Sequence, residues 1–467
     1  MYDQNASTLL ARFVADITYE GLSEAARDAT KRSIMDTIGV TTAAATCGIG
    51  HEKLARLVER GAGTPESTVI GFGIKVPTWM AALANGAMAR AVNFDDSHDQ
   101  GSTHSSSVVV PAALAVAERL GRVDGKSFIT AVAVGNEIVC RLGKSLASRP
   151  GGVPHDRWFM TSVLGIFGGV AACCRLLRLD AEQTRNAFGI ALFETSGTLE
   201  AFSPTGQSAM MRGMVTGFTA KSAVLAASMA EVGITGVPES FDGKFGLFKV
   251  FFDGSHDRDA LLGELNARWA LTEIALKGWP AMRYTNSYID AVGRIVREHD
   301  IAASDIVGIR VYVAGYVATR FEPLEKQRRP RNYNHAGHAL PYLVAAMAVR
   351  RSLTMEHLLT GLDDADVLAM AQRVMPVDDA EFGGDNRIGP AKVVVITADG
   401  TEHAKSLDYA YGDPRDAMAW DDIAAKFREC LRYRRAPLGD VQTERLIADL
   451  RSLERVGDVG ALAGELA

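Results

Sequence analysis

Through the first half of the chain, apolar residues recur at helical spacing and the residues on the apolar faces are small. Met80 to Ala91, Pro111 to Leu120, Phe128 to Leu142, Val163 to Leu177 and Ala220 to Val232 each read as a helix with an Ala- and Gly-rich packing face. Small residues at facing positions let helices approach closely, so these segments predict a compact helical bundle. Gly135, Gly165, Gly168, Gly169 and Gly217 sit inside the patterns. Each lowers helix propensity, which points to tight packing or a nearby ligand.

The texture changes after residue 260. Ile306 to Val317 alternates β-branched and aromatic residues, and Lys392 to Thr397 runs into an Asp399-Gly400 turn, so both read as strands. Helical segments, Tyr342 to Arg350 and Asp364 to Val374, lie between them. Strands mixed with helices predict a separate α+β unit. After Pro414 the chain returns to amphipathic helix, Trp420 to Tyr433 and then Thr443 to Leu453, which can rejoin the bundle.

A length of 467 residues exceeds one ordinary core and predicts two domains. The 47% hydrophobic and 23% charged content is that of a globular protein. A net charge of -6 gives no reason to expect nucleic acid, and it requires a locally basic pocket for any anionic substrate. Met1 to Asp16 has no basic region followed by an apolar run, and Val108 to Ala117 and Val163 to Cys174 are too short to cross a bilayer. A cytoplasmic enzyme without a membrane partner is therefore expected. Five cysteines, with Cys173 and Cys174 adjacent and no CxxC pair, fit reduced buried thiols better than disulfides or a zinc site.

The densest polar cluster runs from Asn93 through Asp95, Asp96, Ser97, His98 and Asp99 to Ser102, Thr103 and His104. Carboxylates and imidazoles so close together supply an acid and a base; the same residues also suit a helix cap in a solvated loop. A metal reading has no defined ligand spacing behind it. Arg90, Arg141, Arg157, Arg212, Arg283 and Arg320 fall near Gly-rich or aromatic segments, and guanidinium forks bind carboxylates in pairs. Arg212 and Arg283 stand out because Met210-Met211 and Trp279-Pro280 surround them with apolar neighbours. His335 and His338 can share a helix face and bind metal, or cap and hydrogen-bond locally. Lys277, after an apolar run, can pair with a carboxylate or lie in solvent. No dinucleotide fingerprint, P-loop or nucleophile elbow is present, because the glycine runs lack the strand that must precede them.

In this order the segments resemble the MmgE/PrpD family almost end to end. The carriers are Asn85-Gly86 to Asp96 with His104 and Val108 to Ala115, then Ala133 to Ile138 with Arg141-Leu142-Gly143, and Thr161 to Leu179 with Ala187 to Ala191. Gly233 to Gly236 with Asp242 to Gly246, Lys277 to Ala291, Leu340-Pro341-Tyr342 and Gly412-Asp413-Pro414 with Lys426-Phe427 continue the match. The resemblance implies a mainly α protein, with an Ala-rich bundle domain over 1–268 completed by 405–467, and a smaller α+β lid domain over 269–404. It also implies a homodimer, a cleft between domains, no metal and no organic cofactor.

Carried over by position, Asp96, His104 and Tyr342 match family motif residues and become the expected catalytic groups. Arg212 stands where members commonly have Lys, and Asn93 replaces an acidic residue. Ser97 replaces a Thr seen in decarboxylase members, Met160 falls where many have a His, and Asn286 falls near another. Arg212, Arg283, Asn93, Ser97, Lys277 and Asn286 are the expected substrate contacts. The implied function is a metal-independent lyase acting on a small di- or tricarboxylic acid by proton transfer alpha to a carboxylate. Hydration or dehydration of a 2-methylcitrate-like acid ranks first. Decarboxylation of a cis-aconitate-like acid, epimerisation of a dicarboxylate and binding without turnover are the alternatives.

Overall fold

The structure, a computed structural model, describes residues 5–149, 152, 157–203, 210–384 and 388–467. The protein is mainly α and divides into two compact units, residues 1–91, 95–274 and 419–467 in the first, 92–94 and 275–418 in the second. The first unit opens with α1 (Ala6–Asp16), α2 (Glu24–Cys47) and α3 (His51–Arg60). A short antiparallel pair, β1 (Ser67–Val69) and β2 (Ile74–Val76), leads into α4 (Thr78–Met88). Then come α5 (Ser106–Leu120), α6 (Gly125–Ala147), α7 (Met160–Leu176), α8 (Ala181–Glu194) and α9 (Val215–Glu231), with the short α10 (Leu247–Phe252) and α11 (Arg258–Leu262).

Helix starts follow side-chain capping. Asn5, Ser23 and Asp124 accept backbone N–H bonds from Thr8, Ala26 and Ser127 at the heads of α1, α2 and α6, and Asp180 with Gln183 forms a capping box on α8. The helix predicted to begin at Pro111 begins at Ser106 instead. The Ser105 carbonyl accepts from both Val108 and Val109, so the first turn closes before the proline, which then lies inside α5.

Helices α5, α6 and α7 form the centre of the first unit. Nearly every residue of α6 from Phe128 to Leu146 is buried, the mark of a helix packed on all sides. A Cβ added to Gly135 would lie 2.7 Å from the Gly168 carbonyl oxygen, and one on Gly168 would lie 2.5 Å from that of Gly135. The glycines predicted to mark tight packing do so here, by letting the α6 and α7 backbones touch.

In the second unit, α12 (Arg283–Glu298) precedes strand β3 (Ile306–Val313). The short α13 (Gly315–Ala318), α14 (Leu324–Arg328) and α15 (Tyr333–Ala336) follow, then α16 (Leu340–Arg350), α17 (Met355–Leu359) and α18 (Ala365–Gln372). The sheet is completed by β4 (Val374–Asp378), β5 (Ala391–Thr397) and β6 (Glu402–Leu407), in the order β4-β3-β5-β6. Strand β4 is parallel to β3, the other pairings are antiparallel, and α12 and α16 pack against the sheet. The strand predicted over Ile306 to Val317 stops at Val313. There the Ala314 N–H turns to the Phe382 carbonyl and Gly315 takes a left-handed φ of 52° to start α13. Strand β6 runs through the domain boundary expected at 404/405.

The chain then re-enters the first unit as α19 (Trp420–Leu431), α20 (Asp440–Arg451) and α21 (Val459–Glu465). Helix α19 packs on α2, and α21 on α5. All five cysteines are free thiols, four of them buried. Among the described residues, no helix is long and apolar enough to cross a membrane.

Candidate active site

Between α4 and α5 the first unit carries a loop that the bundle grips at several points. His98 and Thr103 exchange backbone hydrogen bonds and so close a small hairpin. The buried His98 ring accepts from the Gly101 N–H through Nδ1, and its Nε2 lies 3.8 Å from the Glu273 carboxylate. Burial opposes ionisation of Glu273, yet the nearby His98 imidazole and the hydrogen-bonded Lys144 ammonium hold its carboxyl down to about 2. The hairpin lies directly on α6, where a Cβ on Gly143 would come within 2.7 Å of the Gly101 Cα. We therefore expect Gly143→Ala to push the hairpin off α6. The expected loss is about 1–3 kcal/mol of stability, read by thermal unfolding.

The hairpin ends by presenting His104. Its backbone N–H donates to Thr161 Oγ1 on α7 at 3.0 Å, and its carbonyl accepts from Ser107 Oγ at 2.7 Å. Its ring Nδ1 lies 2.5 Å from the Asp96 carbonyl and 3.1 Å from Asp95 Oδ2. Both neighbours are acceptors, so Nδ1 carries the hydrogen and a neutral ring keeps its lone pair on Nε2. A carboxylate at that distance also stabilises the imidazolium. Asp95 and His104 are thus arranged so that together they can carry a proton.

The cations stand beside this pair. Arg90 Nε lies 4.0 Å from Asp95 Oδ2, and its guanidinium stacks over Phe159 at 4.6 Å and Phe202 at 5.3 Å. The Arg212 guanidinium lies 5.5 Å from the Phe202 ring, which therefore faces both arginines. Planar guanidinium groups on aromatic faces are held without losing the donors that bind carboxylates. In a chain of net charge -6 the two guanidinium groups on one aromatic ring make a local concentration of positive charge.

The sequence matches the MmgE/PrpD N-terminal domain over residues 8–259 and the MmgE/PrpD C-terminal domain over residues 279–451. The chain belongs to the MmgE/PrpD family. It is similar to a cis-aconitate decarboxylase-like protein of Aspergillus oryzae, 25% identical over 422 residues and covering 85% of each chain. It is also similar to the cis-aconitate decarboxylase of Homo sapiens, 26% identical over 417 residues, with 85% of this chain and 82% of that one covered. The cis-aconitate decarboxylase of Aspergillus terreus is 24% identical over 416 residues, covering 84% of this chain and 82% of its own. As an MmgE/PrpD member the chain is a lyase.

Against the residues expected from the family motifs, the side chain that faces His104 is that of Asp95, not Asp96. Asp96 contributes its backbone carbonyl, while its carboxyl turns inward among α2, α5 and α19. Ser97 donates its hydroxyl to Asp99 Oδ1 at 2.8 Å, a turn contact within its own loop. Met160 is buried at the start of α7. Asp95, Arg90, Phe159 and Phe202 are the members that motif matching passes over.

The other expected residues belong to the second unit. Asn93 adopts a left-handed φ of 57°, its carbonyl accepts from Lys277 Nζ at 3.0 Å, and its Nδ2 lies 3.5 Å from His338 Nε2. The whole Lys277 residue is buried, and the Tyr333 hydroxyl donates to the neighbouring Val92 carbonyl. Arg283 lies 3.6 Å from Asp413 Oδ2. Burial opposes ionisation of Asp413, but Arg415 and then Arg283 hold its carboxyl below the usual range. The Asn286 side chain donates back to Met282 and Ala281 carbonyls, and its fully buried Oδ1 has no hydrogen-bond partner among the described residues. The Tyr342 hydroxyl donates to the Gly361 carbonyl at 3.0 Å, an anchoring role within its own unit. Among the described residues no group of three or more His, Cys, Asp or Glu is placed to hold a metal ion; His335 meets the Arg331 N–H and Gln327, whereas His338 meets the Asn334 carbonyl and Asn93.

Proposed function

We propose that the protein is a carboxy-lyase acting on a small unsaturated polycarboxylate of the cis-aconitate type. The observation that carries this reading is the Asp95–His104 pair at 3.1 Å, flanked by Arg90. Loss of CO2 from such an acid breaks one C–C bond, and the released electron pair forms a new C=C. The original π pair then moves to the carbon alpha to a remaining carboxylate, where it takes up one proton. The reaction needs charge stabilisation and a single proton donor, which His104 with Asp95 supplies. Arg90 and Arg212 hold the remaining carboxylates and steady the negative charge as it spreads through the allyl system. Dehydration needs a base on carbon and a separate acid on the leaving hydroxyl, and so asks for a second proton carrier. The likeness to two cis-aconitate decarboxylases and to a cis-aconitate decarboxylase-like protein supports the same order.

The test is to incubate the protein with cis-aconitate, citrate and 2-methylcitrate while following released CO2 and the products by proton NMR. Release of CO2 from the unsaturated acid is expected. Loss or gain of water without CO2 would replace the reading with a hydro-lyase. Arg212→Ala is expected to raise KM about tenfold or more, because a charge-assisted hydrogen bond contributes roughly 1.5–3 kcal/mol. An unchanged KM in steady-state kinetics would remove Arg212 from the carboxylate clamp.

A further inference from the structure

Beneath the His104 loop lies a buried set of charges of which the proposed chemistry uses only Asp95. Asp36 on α2 is paired with Lys426 on α19 at 2.5 Å, both side chains essentially inaccessible. Asp95 is paired with His104 at 3.1 Å and lies 4.0 Å from Arg90. Asp96 is also fully buried, yet among the described residues no cation lies within ion-pair distance of it, and neither carboxyl oxygen has a hydrogen bond of ordinary geometry. From α5 the Ser106 hydroxyl faces it, and that hydroxyl is itself held by Asn136 Nδ2 of α6 at 2.9 Å. Cys140 of α6 is buried nearby, and its thiol is pushed well up by burial, helped by the charge of Glu137. Of the three carboxyl groups, two have their own cation and one does not. A buried carboxylate without a cation is far less favourable than a buried carboxylic acid.

We propose that Asp96 is a positioning residue kept as an uncharged carboxylic acid, so that Asp95 carries the negative charge that faces His104. The protonated group fills its place between α2, α5 and α19, and its backbone carbonyl holds the imidazole at Nδ1. Once ionised, it would seek Lys426 or water and draw that carbonyl, and Asp95 beside it, away from His104. The kinetic half of the inference rests on the function proposed above; the protonation state does not.

Burial first, with the charges of Asp36 and Asp95 adding to it, pushes the Asp96 carboxyl from 3.8 up to about 7, against the opposing Ser106 hydroxyl and Lys426. A folded value above the unfolded one means that the native state keeps a proton which the unfolded chain releases. The stabilisation is fully present below about pH 4, falls as pH rises and is gone above about pH 7.

Wild type and Asp96→Asn are compared by thermal unfolding from pH 4 to 8, by infrared spectroscopy of the protonated-carboxyl band, and by the pH profile of kcat. In the wild type we expect Tm to fall across that window, a carboxyl band to titrate near pH 7, and kcat rather than KM to decline on the alkaline side. Asp96→Asn, whose amide mimics the neutral acid, is expected to lose the band, flatten the Tm slope and weaken the alkaline limb of kcat, leaving only the fall inherent in a His104 proton donor. An unchanged band and Tm slope in Asp96→Asn would overturn the protonation state. A changed Tm slope with an unaltered kcat profile would overturn the positioning role. If no acid is turned over, the proposed function fails, while the band and the Tm slope still decide whether Asp96 is neutral.

Discussion

Replacing His104 with alanine is expected to lower kcat by about 10²–10⁴-fold, the range over which a positioned proton carrier acts. The fold should survive, because the residue is anchored by its backbone: its N–H donates to Thr161 Oγ1 and its carbonyl accepts from Ser107 Oγ. Circular dichroism and Tm near those of the wild type, with turnover lost, are the expected pair of results. Asp95→Asn should also reduce kcat, since an amide cannot balance the imidazolium charge. The double variant should lose little beyond His104→Ala alone, because two groups that form one proton carrier are not additive. Activity within a few-fold of wild type in His104→Ala would exclude this imidazole from the chemistry. Losses that simply multiplied in the double variant would dissolve the pairing with Asp95.

Much of the fold was legible because helix–helix packing leaves a periodic signature. The five segments read as Ala- and Gly-rich helices correspond to α4, α5, α6, α7 and α9, and the glycine reading holds at Gly135 and Gly168, where backbones touch. Strand β5 was legible because it is buried and β-branched. The edge strands were not. β4 (Val374–Asp378) contains Pro376, a residue tolerated only where no ladder bond is needed, and its first residue was absorbed into the preceding helix pattern. β6 (Glu402–Leu407) alternates exposed and half-buried positions without an apolar face, so its strand character comes from pairing with β5.

The candidate site was legible as a cluster and illegible as a geometry. Carboxylates and imidazoles between Asn93 and His104 marked the region, but the spacing did not say which of two adjacent aspartates meets the imidazole. Side chains on a strand alternate predictably; in an irregular loop their direction is set by what grips the backbone. Here the grip is the His98–Thr103 hairpin seated on Gly143, which turns Asp95 toward His104 and sends Asp96 inward. The Arg90–Phe159–Phe202–Arg212 arrangement was hidden for a related reason. It joins the end of α4, the start of α7 and the loop beyond α8, segments that only the packed bundle brings together.

The return of the C-terminal segment to the first unit gives the largest expected stability effect. Lys426 of α19 reaches Asp36 of α2 at 2.5 Å, with both side chains at most 5% exposed. Removing one member of a buried pair leaves the other charge without compensation, whereas removing both can be nearly neutral. Lys426→Met keeps most of the alkyl packing between α19 and α2 and is expected to cost about 3–5 kcal/mol, read as a lower Tm and denaturation midpoint. The double variant Asp36→Leu with Lys426→Met should recover most of that loss, because an apolar contact then replaces a stranded carboxylate. If Lys426→Met alone were nearly neutral, Asp36 would have to be protonated already, and the second carboxyl group beside Asp96 would carry no charge. Equal losses in the single and double variants would instead assign the effect to packing of the lysine stem, and the ion pair would have no part in holding α19 to the bundle.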